Sequence, residues 1–241
     1  MRDPVYRSGH GLVKWMTVLL IVDAALSLMA LWSTWGQIDR IDRAETEFER
    51  VMAGLEEELA RLEEEPGGAE TQRSWVDAYI VPGGLIGLVQ AGVQLALIIL
   101  FCIWIPRANR NARALGATGM RFTPGWSVGW YFIPIMNLFR PYQAMKEIWV
   151  ASVPSDATPR QRRAGSPLLG WWWALWLVSG AAALRTFPRW VPTKDWVEMR
   201  RAIWATCASD AIDIPLAIVA LLLVRSVHGM QERRRTTTVF D

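Results

Sequence analysis

The chain has 241 residues, 26 Lys and Arg against 23 Asp and Glu, and a formal net charge of +3. Apolar types make up 52% of it and Trp alone supplies 15 residues, while 20% are charged, so apolar and charged residues have to be segregated into blocks. A basic balance points to nucleic acid only when the cations share a soluble face; here they flank apolar blocks, as in membrane proteins. Cys102 and Cys207 both fall inside apolar blocks, which argues against a disulfide framework. His10 and His228 are isolated, and no CxxC or HExxH spacing exists, so no metal site is expected.

The first apolar block runs over about 12–35, interrupted by Lys14 and Asp23. It is long enough to span, since about 20 residues cross a hydrocarbon core about 30 Å thick. Arg2, Arg7 and Lys14 precede it as in a signal peptide, but it ends in Leu31, Trp32 and Trp35 rather than at a small-residue cleavage site. A retained anchor is therefore expected.

Residues 37–73 hold twelve acidic and five basic residues and read as an acidic helical insertion outside the cytoplasm. Ile41, Phe48, Leu55 and Leu62 recur every seven residues, a narrow apolar stripe that suits either packing on the chain's own loops or a short coiled coil between subunits. Pro66-Gly67-Gly68 is expected to end the helix. The second span is placed at about 80–105, where Gly83, Gly87 and Ala91 at i, i+4, i+8 form a small-residue stripe that allows close helix approach in lipid.

Residues 106–166 read as a cytoplasmic loop. It opens with a basic polar stretch at 107–121, a candidate surface for anionic lipid headgroups. Thr123-Pro124 reads as a helix start. The apolar segment 126–139 is too short to span and contains Pro134, so it is expected to be re-entrant or interfacial. At 141–152, Tyr142, Met145, Ile148 and Trp149 at helical spacing oppose Gln143, Lys146 and Glu147, which predicts an amphipathic helix on the membrane surface or capping the bundle. A third span at about 168–184 opens with Trp171, Trp172 and Trp173, placed by residue preference at headgroup depth. A fourth at about 203–224 carries Asp210, Asp213 and Pro215. Residues 225–241, with Arg233, Arg234 and Arg235, are expected to form a cytoplasmic tail, in which Thr236-Thr237-Thr238 is a short disordered polar stretch.

The fold class that emerges is an all-α integral membrane protein, a single domain with four transmembrane helices. Charging any residue inside hydrocarbon is expensive, so Asp23, Asp210 and Asp213 have to face the interior, pair or stay protonated. Two readings follow: a proton or cation path through Asp23 and Asp213, or buried structural bonds, with Asp210 paired to Arg185. GxSxG, Walker, GxGxxG and Cys–His patterns are absent from the sequence, so no catalytic residue or cofactor site is nominated. A non-enzymatic scaffold or interaction protein, partnered by the lipid bilayer and by a second copy or another membrane protein, with no nucleic acid, is the expected function; a channel or transporter is the alternative.

The stretch WIPRANRNARALGA from Trp104, followed by RFTPGWSVGWYFIPIMNLFRPYQAMKEIW from Arg121, resembles a bacterial membrane family, domain of unknown function 4328. Residues matching its signature are Arg107, Asn109, Asn111, Pro124, Gly125, Trp126, Pro134, Asn137, Arg140, Pro141, Tyr142, Glu147 and Trp149. The resemblance implies a bacterial inner-membrane protein and brings no activity with it.

With four spans and both termini in the cytoplasm, 16 Lys and Arg lie inside and ten outside, as the positive-inside rule requires. Reporter fusions after Pro66 should therefore read outside, and fusions after Ser155 and Asp241 should read cytoplasmic. A cytoplasmic signal at Pro66 would overturn this orientation.

Overall fold

A computed structural model describes residues 5–59, 70–154, 157, 165–186 and 196–240. The regular elements among them are all helical: α1 (His10–Leu59), α2 (Glu70–Ala114), α3 (Trp126–Gly129), two 3-10 turns (Trp130–Phe132 and Met136–Leu138), α4 (Arg140–Ser152), α5 (Pro167–Thr186) and α6 (Trp196–Phe240). Among the described residues, three stretches are long and apolar enough to cross a membrane: His10–Gly36, Leu85–Ala114 and Arg200–Thr236. The expected third span coincides with the 20-residue α5.

Two sequence expectations change. The basic stretch after Pro106 is not a loop as far as Ala114, because α2 continues through it. Trp104, Ile105, Ala108, Ala112 and Leu115 are all buried, an apolar stripe at helical spacing that holds this charged turn in place. Thr236-Thr237-Thr238 is not disordered either: α6 runs on through Arg233, Arg234 and Arg235 and these threonines to Phe240. Arg234 donates to the backbone carbonyls of Ala151 and Leu115, fixing the last turns by charge-assisted bonds. Of the three consecutive tryptophans, Trp172 and Trp173 are core residues while Trp171 is exposed. Helix α1 runs without interruption from the first apolar block into the acidic segment. The side chains of Ile41, Phe48 and Leu55, and the whole of Leu62 and Pro66, lie outside the described residues.

Contacts divide the chain into two units. The first comprises Met1–Ala24, Gly92–Gly180 and Ile212–Asp241. Its core joins Val13, Met16 and Leu20 of α1, Trp104 and Ile105 of α2, Met145 and Ile148 of α4, Leu169 and Trp172 of α5, and Leu223, Val224 and Val227 of α6. Helix α4 belongs to this core: Pro141, Ala144, Met145, Ile148 and Ser152 are buried along one side, so it caps the packed helices instead of resting on them. Buried polar groups are tied off as burial demands. Gln231 Nε2 donates to the Ala108 carbonyl and to Ser152 Oγ, both at 2.9 Å. Tyr131 packs edge-on against Trp176, 5.9 Å between centroids, and Trp176 stacks on Trp173 at 4.9 Å.

The second unit comprises Ala25–Ala91 and Ala181–Ala211. Among its described residues, Gln90 bonds Ser27 and Asp210, and Arg200 pairs with Asp42 at 3.3 Å.

Candidate functional site

The family-signature residues converge within the first unit on the connection between α2 and α4. This connection leaves α2 through Gly116 and Gly119, which have φ of 86° and 74°, a left-handed backbone open to glycine at little steric cost. Beyond it, Phe122 is gripped from both sides. Its carbonyl accepts from Asn109 Nδ2 at 3.0 Å and from an Arg113 guanidinium nitrogen at 3.0 Å. Its N–H donates to Glu147 Oε2 at 3.0 Å, and the neighbouring Arg121 N–H donates to Glu147 Oε1. Arg113 Nε also donates to Asn109 Oδ1 at 3.0 Å, which locks the amide orientation. Glu147, expected on the polar face of α4, is thus a backbone receptor and not a solvated charge.

Arg140 extends over two rings, with its guanidinium carbon 5.4 Å from the Trp130 centroid and 6.0 Å from that of Phe122. Trp126 lies against Trp130 at 4.6 Å. Thr123 behaves as the expected helix start, since its Oγ1 accepts the Trp126 N–H at 3.4 Å. Pro124 supplies a carbonyl to Ser127 Oγ, Pro134 is solvent-facing, and Pro141 is buried at the start of α4. Trp149 is partly buried against the core. Asn137 holds its backbone N–H on the Ile133 carbonyl at 2.8 Å. Its Oδ1, with Trp130 Nε1 and Tyr131 Oη, is buried without a hydrogen-bond partner among the described residues.

Asn111 works in a separate contact. It accepts the Arg7 N–H at 3.1 Å and returns Nδ2 to the Arg7 carbonyl at 3.0 Å, clamping the N-terminal segment like a paired strand. Arg107 runs beside it, its Cδ 3.9 Å from the position a Cβ on Gly9 would take. Tyr6 and Ser8 both donate to Glu232 Oε1 at 2.9 Å. Burial, then this carboxylate, push the Tyr6 phenol well above its usual range, so it stays a donor at neutral pH.

The three aspartates inside the apolar helices are each bonded, Asp23 to a polar group on a neighbouring helix as the structural reading has it. Asp23 is buried and accepts from Gln94 Nε2 at 3.0 and 3.2 Å. Asp213 accepts from Ser179 Oγ at 2.7 Å. Asp210 accepts from Gln90 Nε2 at 3.0 Å, and its anticipated partner Arg185 has a side chain outside the described residues. Sequence reasoning weighed only carboxylates and missed Gln90 and Gln94; two amides one helical turn apart in an otherwise apolar block were the available signal. Among the described residues no cluster of His, Cys, Asp and Glu could hold a metal ion.

The family model described as a domain of unknown function (DUF4328) matches residues 70–229. No curated protein and no solved structure matches the chain.

Removing the Asn111 amide would leave the Arg7 backbone groups without their partner, at a cost of about 1–3 kcal/mol where they are buried. Asn111→Ala should therefore release the N-terminal segment and speed tryptic cleavage after Arg7, with helix content unchanged by circular dichroism. Cleavage at the wild-type rate would refute the clamp.

Proposed function

The chain belongs to the DUF4328 family, and from that premise we propose a multi-pass protein of the bacterial inner membrane that acts as a non-enzymatic scaffold or interaction partner. It has four spans, with α5 as the third, and both termini in the cytoplasm. The observation that carries this reading is where the signature side chains spend their hydrogen bonds. Asn109, Asn111 and Glu147 each bind backbone groups of the chain itself, which builds a fixed cap and leaves those groups little capacity for chemistry.

Surface character agrees. Leu85, Leu88 and Val89 are exposed on α2, and a Cβ added at Gly87 or Gly92 would meet nothing within 4 Å. That small-residue face is open to another helix in lipid. The acidic extension of α1 offers a second surface, toward a partner or a second copy. Single cysteines at Phe48 and Leu55, in a background lacking Cys102 and Cys207, should give crosslinked dimers in native membranes. Absence of dimer at both positions would remove self-association through the stripe.

A second reading, a proton or cation path, draws on Asp23 and Asp213, the carboxylates in the apolar helices of the first unit. Their bonds to Gln94 and Ser179 support a structural role instead, since an amide or hydroxyl donor satisfies a buried carboxyl. Asn in place of Asp213 can still accept from Ser179, so Asp213→Asn should leave thermal stability nearly unchanged. Proteoliposomes of the wild type should show no proton or monovalent-cation flux above empty vesicles. Flux that falls in Asp213→Asn at equal stability would favour the path.

A further inference from the structure

A cleft of about 620 Å³ opens in the first unit between the 3-10 segment and α4, within the size range of small-ligand pockets. Three cations line it, Arg121, Arg140 and Lys146, with one carboxylate, Glu147. Both oxygens of that carboxylate already accept the Arg121 and Phe122 N–H groups. Among the described residues none of the three cations forms an ion pair. Gln143 Oε1 accepts from Arg140 Nη1 at 3.4 Å, leaving the Gln143 amide nitrogen as a further donor. Helix α4 begins at this cleft without a side-chain cap, so its positive end adds to the same sign.

The rest of the lining is apolar: Phe122, Met136, Phe139 and Val150. The apolar character continues outward, since Phe139 is 60% exposed and Ile135 71%. A free inorganic anion would use the cations and leave the apolar surface in water. A phosphate that carries hydrocarbon satisfies both. We propose that this cleft binds the headgroup of an anionic phospholipid, its phosphate among Arg121, Arg140 and Lys146 and its chains along Met136 and Phe139. The proposal rests on the membrane reading; of the 107–121 stretch, part of which is helix α2, it keeps only Arg121 and joins it to Arg140 and Lys146 of α4.

The full-length protein, reconstituted in phosphatidylcholine bilayers, would be titrated with spin-labelled phosphatidylglycerol and, separately, spin-labelled phosphatidylcholine. The motionally restricted fraction is the readout. The wild type should retain phosphatidylglycerol preferentially. Lys146→Gln, an exposed change that leaves packing alone, should lower that preference by about fivefold, the effect of one cation at a membrane surface. Arg140→Gln should lower it further. Arg110→Gln removes an exposed cation outside the cleft and should change it little. Millimolar inorganic phosphate should not displace the lipid.

Restricted lipid without headgroup preference would overturn the lipid site alone. So would an equal loss from Arg110→Gln and Lys146→Gln, which would mean diffuse surface charge. Displacement by inorganic phosphate would overturn the lipid source. No restricted lipid of either kind would overturn the membrane reading, and this site with it.

Discussion

The peptide group of Phe122 is bound on both edges, by Asn109 and Arg113 on its carbonyl and by Glu147 on its N–H. Much of the first unit's cap depends on this one grip. It joins the end of α2 to the outer face of α4 across a connection whose only regular structure is one short helix and two 3-10 turns. A loop whose backbone is buried has to find its hydrogen bonds somewhere, and here side chains from two helices supply them. Each bond contributes only about 0.5–1.5 kcal/mol net, but they converge on adjacent peptides and are made by groups held in rigid helices. The same grip positions Arg140 over Phe122 and Trp130, which forms one wall of the basic cleft.

A related constraint acts in the apolar helices. A carboxyl away from water needs a donor, and each of Asp23, Asp210 and Asp213 has one, from Gln94, Gln90 and Ser179. Each pair joins helices within its own unit. Such bonds contribute modestly in lipid, about 0.6–2 kcal/mol, but they fix helix register where apolar packing alone tolerates slip. At the other end of the first unit, Gln231, Arg234 and Glu232 do the same for α6 against α2, α4 and the N-terminal segment.

Much of this was legible in the sequence where one physical signal dominated. Length and apolarity placed His10–Gly36, Leu85–Ala114 and Arg200–Thr236, and the short proline-broken segment after Trp126 did not become a long helix. The spacing of Tyr142, Met145 and Ile148 correctly read as helix. Illegible was whatever required two signals to be weighed together. Arginines after Pro106 suggested a loop, although Ala108, Ala112 and Leu115 already carried a helical stripe through them. The threonines at 236–238 suggested disorder, although Gln231 and Arg234 just before them have partners only the fold brings near. Glu147 looked solvated because its donors are backbone N–H groups, which leave no trace in composition. The signature residues were marked by family resemblance, but their convergence on Phe122 was visible only in three dimensions.

The central claim is that the signature side chains hold the backbone of this connection as firmly as a helix holds its own. Amide hydrogen exchange of the full-length protein in a bilayer tests it directly, read at Arg121 and Phe122 against amides in the middle of α4. Protection at Phe122 within about tenfold of the α4 amides is the expected result, since its N–H is bonded to a carboxylate on that helix. Exchange at the rate of an open loop, with α4 still protected, would contradict the claim.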